Sequence, residues 1–176
     1  MGSPARFRGM DFVEVMQEYF RGEKLAGWAI LGVGVQLAAF AVWIWRTQEG
    51  AFVWGLALPL AIVGVMAVTV APFFISHNGR LADEIAQRYA DDPAALAQAE
   101  TERMARVNAN WPKLKFAWGV IGVIAIALLL AVRKDWSNGL GVALIILVAI
   151  LFTIDVLGER RAVPYTEALS AIARDG

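Results

Sequence analysis

Four long apolar runs constrain this chain more than any other feature. They cover about residues 25–45, 51–75, 116–132 and 139–157. A helix that crosses a membrane needs ~20 mostly apolar residues, because the hydrocarbon core is ~30 Å thick and a helix rises ~1.5 Å per residue. The first run, Leu25 to Trp45, holds no charged residue, and the fourth holds only Asp155. Four such runs in 176 residues leave too little polar surface to keep a soluble fold dissolved. Composition agrees: 59% of the residues are apolar and 18% charged, against about 45–50% and about 25% in an ordinary soluble domain.

The same composition removes whole classes of chemistry. There is no cysteine, so thiolate metal sites, iron–sulfur clusters, disulfide scaffolds and cysteine nucleophiles are excluded. A single histidine excludes bis-histidine haem and multi-histidine zinc. No nucleotide-binding loop, nucleophile elbow or zinc-protease helix occurs. Neither a metal nor a cofactor is expected.

Residues at the ends of the runs fit a bilayer. Trp28, Trp43, Trp45, Trp54, Trp118 and Trp136 lie near run ends, where the indole ring is at home at headgroup level. Lys24, Arg46, Lys115 and Arg133 flank the runs and can snorkel outward. The first run is too long for the apolar core of a signal peptide and lacks a small-residue cleavage site after it, so it reads as a retained span.

Lysine and arginine set the orientation. Thirteen fall before the first run, in the central segment and in the tail; three fall in the two short loops Arg46–Gly50 and Arg133–Asn138. The positive-inside rule then places both termini and the central segment in the cytoplasm of a multi-pass inner-membrane protein. The expected fold is all-α, a single integral membrane domain over residues 1–176. It is a four-helix transmembrane bundle of two helical hairpins. An amphipathic helix, Met10–Phe20, is expected along the inner membrane surface. A cytoplasmic helical hairpin is expected over about residues 80–112, with Asn78-Gly79 ending the second span. Asp92 is its inner N-cap and Pro93 its first helical residue; Leu96, Met104, Val107 and Trp111 form the face of its second helix, and Pro112 ends or kinks that helix. Met10 also offers a second start, which would make residues 1–9 an extension.

Polar groups inside a bilayer are costly and are candidates for function. Gln36 lies near the middle of the first span; its amide is expected to bond another helix, to bond its own copy across an oligomer axis, or to line a pathway. Asp155 sits within a turn of the cytoplasmic end of the fourth span. It is expected in an ion pair with Arg160, Arg161, Lys24 or Arg80, the alternative being a proton or cation relay. Glu159 follows one turn later and could share a cation with it. His77, in Ser76-His77-Asn78, is expected at the interface with solvent or a backbone partner; adjacent residues on a helix do not face each other, so Ser76 and His77 do not make a nucleophile–base pair. Pro59 and Pro72 are expected to kink the second span. Gly34 with Ala38, Ala57 with Ala61 and Ala67 with Ala71 allow close helix approach.

Several flanking motifs carry a resemblance. They are Glu18-Tyr19-Phe20-Arg21-Gly22-Glu23-Lys24, Asp92-Pro93-Ala94, Glu100-Thr101-Glu102-Arg103-Met104, and Gly158-Glu159-Arg160-Arg161 followed by Tyr165. Together they resemble small, uncharacterised bacterial four-span membrane proteins over nearly the whole chain. In size and topology the chain is similar to the small inner-membrane immunity proteins that protect bacteria from membrane-acting toxins.

Three functions compete on this reading. The favoured one is a non-enzymatic membrane protein that binds a protein partner, such as a toxin or a membrane complex, in or beside the bilayer. The second is a small channel or transporter working as a homo-oligomer around Gln36 and Asp155. The third is a membrane enzyme using His77, Asp155 and Glu159. Acidic and basic residues balance to a net charge of zero, so no basic field exists to hold nucleic acid.

Overall fold

The computed structural model describes residues 12–175. Among these the structure is entirely helical, in five helices. They are α1 (Phe12–Thr47), α2 (Ala51–Asp91), α3 (Pro93–Asn108), α4 (Trp111–Ala131) and α5 (Asp135–Asp175). Four of the described helical segments are long and apolar enough to cross a membrane. Helix is the form that hydrocarbon permits, because each backbone N–H and C=O finds its partner within the segment.

Three helices are much longer than a bilayer requires. At ~1.5 Å per residue, α1 is ~54 Å long and α2 and α5 are each ~62 Å, against a ~30 Å hydrocarbon core. The excess lies at one end of the molecule, where α1 begins and α2 and α5 finish. There the apolar faces of all three overhangs and of α3 close over one core: Phe12, Val15, Met16, Tyr19 and Phe20, Ile85, Leu96 and Met104, and Ala162, Tyr165, Ala168 and Leu169. This assembly is the polar end of the molecule.

The structure departs from the sequence-based expectation at two places on these overhangs. The amphipathic stretch is no separate surface helix: from Phe12 onward it is the first three turns of α1, and its apolar residues face the core of the polar end instead of lipid. Burial among four helices removes more apolar surface from water than lying half-sunk at a membrane interface. Met10 and Asp11 themselves, and the question of residues 1–9, fall outside the described residues. Asn78-Gly79 does not end the helix of the second span either. Helix α2 runs through it to Asp91, and the Asn78 side chain donates back to the Phe74 carbonyl at 3.0 Å, satisfied within the helix that it was expected to cap. The tail after the fourth run continues α5 to Asp175.

Local signals decide the remaining joints. Asp92 caps α3, its carboxylate accepting from the Ala95 N–H at 3.0 Å, with Pro93 in the first turn. The break after α3 falls at Ala109–Asn110, and Trp111 and Pro112 open α4; proline lacks only an N–H that the first turn leaves unused. Gly50, with φ 109°, turns the chain from α1 into α2 in a conformation that L side chains avoid. Between α4 and α5 the buried Ser137 hydroxyl donates to Val132 or Lys134, both carbonyls lying 2.8 Å away. Pro59, Pro72 and Pro164 all lie inside continuous helix.

Within the spans a second core joins α1, α2 and α5: Leu37 and Ala41, Leu56, Ala57 and Leu60, and Ala143 and Leu147. Helix α4 stands outside it, packed chiefly on α5, with Ala125 its one buried residue. Close approach rests on small residues. A Cβ on Gly64 would lie 2.7 Å from the Ala38 nitrogen, and one on Gly34 would lie 2.7 Å from the Ala67 Cβ. Lower down, a Cβ on Gly55 or Gly139 would collide with the Trp136 or Phe52 carbonyl of the facing helix. Lipid tails are as apolar as leucine, so such backbone contact, rather than hydrophobic burial, holds these helices together.

A substitution pair tests this. Gly64→Leu is expected to destabilise the detergent-solubilised protein by about 1–3 kcal/mol, the usual cost of overpacking, because the atoms it meets are backbone. Gly119→Ala, where a Cβ meets nothing within 4 Å, should leave the thermal midpoint unchanged or slightly raised.

Candidate functional site

The residues singled out by sequence do not assemble into one site. Asp155 accepts a hydrogen bond from the Trp118 indole N–H at 2.6 Å, joining α5 to α4. It makes no ion pair with Arg160, Arg161, Lys24 or Arg80 among the described residues; Arg161 reaches Glu23 of α1 at 3.1 Å instead. Glu159 pairs with Lys115 of α4 at 2.5 Å. Asp155 and Glu159, one turn apart, thus serve as two clamps on α4 rather than as a shared cation site, and no cluster of three metal-ligating side chains occurs among the described residues. His77 is exposed, its ring stacked on Phe73 at 6.3 Å, while Ser76 donates to the Phe73 carbonyl. No hydrogen bond or ion pair joins His77, Asp155 and Glu159 to one another among the described residues. Gln36 is exposed on the outer side of α1.

What the structure does assemble lies in the polar end. Glu100 is 5% exposed. It sits on α3 one turn from Leu96 and one turn from Met104, inside the apolar face. Arg103 forks onto its carboxylate, Nε lying 2.9 Å from both oxygens, with Nη2 at 2.5 Å. From α5 the fully buried Tyr165 donates its hydroxyl to the same carboxylate at 3.0 Å. Tyr19 of α1 stacks flat on Tyr165, ring centroids 4.6 Å apart at 4°. Phe20 meets Tyr165 edge-on, and Phe12 bridges Tyr165 and Tyr89 of α2. A buried charge is tolerated only when paired and hydrogen-bonded, and here two donors supply that.

Electrostatics follow from this packing. Burial, with the Glu100 charge and hydrogen bond next to it, pushes the Tyr165 hydroxyl well above the usual phenol range. Tyr19 is raised too, first by burial and then by Glu23. Burial works against the charge of Arg103, but the Glu100 carboxylate outweighs it and holds the guanidinium above its ordinary value. Through these contacts the network binds three helices together.

Beside it lies a groove of about 400 Å³ between α3 and the end of α5, lined by Ala94, Gln98, Thr101, Glu102, Ile172 and Ala173. The Thr101 hydroxyl is shielded from solvent and has no hydrogen-bond partner among the described residues.

Sequence reasoning missed Glu100 and Tyr165 as partners, although signals existed. A carboxylate interrupting the apolar stripe Leu96–Met104 marks a buried charge. Ala162, Tyr165, Ala168 and Leu169 recur at helical spacing, the mark of a buried helix face in the tail. No family model, no curated protein and no solved structure matches the chain.

Two measurements check the network. Tyr165→Phe should cost about 1–2 kcal/mol, the loss of one hydrogen bond to a buried charge. Glu100→Ala should cost more, yet fall short of the ~3–5 kcal/mol typical of breaking a fully buried pair, since the Arg103 side chain remains 28% exposed. Because the folded state raises the Tyr165 pKa, the protonated form is the one favoured by folding. Stability is therefore intact below the unfolded phenol value of ~10 and falls as pH rises above it, with a slope approaching ~1.4 kcal/mol per pH unit. An alkaline unfolding series should show this slope, and Tyr165→Phe should flatten it.

Proposed function

We propose that this chain is a non-enzymatic multi-pass protein of the bacterial inner membrane, both termini in the cytoplasm, that binds a protein partner beside the bilayer. Its most concrete form is immunity against a membrane-acting toxin. The observation that carries the reading is the groove between α3 and α5. It is largely apolar and lies beside the buried core of the polar end, against which Ile172 packs. A polypeptide segment laid in that groove would bury its apolar floor. Further support comes from the allocation of polar chemistry: Asp155 and Glu159 are engaged in holding α4, and His77 stacks on its own helix. Eleven basic residues among the described ones lie on the side of the polar end, against three at the other end, and support its cytoplasmic placement. A conducting pathway has less support within one copy, since Gln36 faces outward and Asp155 is turned onto Trp118.

The test combines genetics with a groove-filling variant. Cells lacking the gene should become sensitive to the product of a neighbouring toxin gene, and the wild-type chain should restore protection. Ala173→Trp fills the groove without entering either core; it should lower protection at least tenfold while the protein still accumulates in the membrane. Equal sensitivity with and without the gene would remove the immunity form, and full protection by the variant would remove the groove as the docking surface.

A further inference from the structure

Gln36 is the one carboxamide within the four apolar runs. Within the four apolar runs, the other hydroxyl and carboxyl side chains bond internally. Thr69 donates to the Val65 carbonyl, Thr153 to the Ala149 carbonyl, and Asp155 accepts from Trp118. Gln36 lies near the middle of its span, is exposed, and has no hydrogen-bond partner among the described residues. A carboxamide offers two donors and an acceptor, and hydrocarbon satisfies none of them.

The surface around it is shaped for a close neighbour. Leu25, Ala29, Gly32, Gln36, Ala39 and Trp43 follow one another at alternating steps of four and three, and all are exposed. That is the spacing of a helix–helix seam. Its centre is small, and a Cβ on Gly32 would meet nothing within 4 Å, so another backbone can approach. Eighteen residues before Gln36, five whole helical turns, Glu18 stands on the same side of α1 with Arg21 beside it, both exposed.

We propose that a second copy of this chain covers this face. The two α1 helices pack in parallel about a two-fold axis normal to the membrane, and each Gln36 amide donates to the carbonyl of the other. Three features select a second copy over an unrelated helix. A carboxamide is its own complement under two-fold symmetry. A copy inserted in the same orientation brings its Gln36 to the same depth. Opposite charges on the overhang let Arg21 of each copy meet Glu18 of the other. The inference rests on the membrane placement proposed above and is independent of the groove, which lies elsewhere on the polar end.

The chain contains no cysteine, so single cysteines report position cleanly. Full-length Gly32→Cys, Ala39→Cys and, on the lipid face of α4, Val123→Cys are oxidised in native membranes and resolved without reductant. Gly32→Cys and Ala39→Cys should form disulfide dimers at least tenfold more than Val123→Cys, and adding Gln36→Leu should lower that yield at least threefold. Gln36→Leu should leave the thermal midpoint of the detergent-isolated monomer unchanged, because the side chain touches no partner in its own chain. Equal cross-linking at all three positions, cross-linking only to a band of another mass, or indifference to Gln36→Leu would overturn the proposal. Membrane placement is read separately: a chain that stays in the alkali-resistant membrane fraction without cross-linking overturns the dimer alone, whereas a chain released by alkali overturns the membrane reading itself.

Discussion

Helices that outrun the bilayer govern this structure. A span needs ~30 Å of helix, yet α1, α2 and α5 extend ~54–62 Å, and the surplus must stand in water at one end. A lone amphipathic overhang would expose its apolar stripe. Three of them together, closed by α3, bury those stripes against one another. The polar end is therefore the consequence of continuing the spans, and its aromatic core, Phe12, Tyr19, Phe20, Tyr89 and Tyr165, is what makes that continuation stable.

Two different forces act along the same helices. In water, burial of apolar area drives assembly at roughly 25 cal/mol per Å², so the polar end uses large residues, and its one buried carboxylate is enclosed by Arg103 and Tyr165. In hydrocarbon that driving force vanishes. There the helices are held by glycine and alanine at the crossings, as at Gly34, Gly64, Gly55 and Gly139, and by a few polar clamps. Helix α4 depends most on those clamps. It lies on α5 alone for most of its length, and Trp118–Asp155 and Lys115–Glu159 fix its depth and rotation.

Much of this was legible in residues taken singly or in runs. The four spans are visible because each must be apolar over ~20 positions. Asp92-Pro93 is visible because capping is a local interaction, complete within four residues. The small pair Gly34 and Ala38 is found at the crossing of α1 and α2, but Gly64, which receives it, carries no sign of its partner in the linear order. The stretches on which the resemblance was built — around Tyr19, Glu100, Arg161 and Tyr165 — come from three separate parts of the chain and converge on one network, a meeting that no local pattern announces.

Helicity, four segments suited to hydrocarbon and the Asp92 cap can be read from the linear order, because they depend on neighbours within a helical turn or on the solvent around a run. Packing settles the rest: α1 and α2 continue past the membrane, Glu100 is enclosed by Arg103 and Tyr165, Asp155 turns to an indole rather than an arginine, and Gln36 looks outward. Each of those is a choice among partners distant in sequence, and it is settled by which helix faces which, a property of packing that no single segment contains.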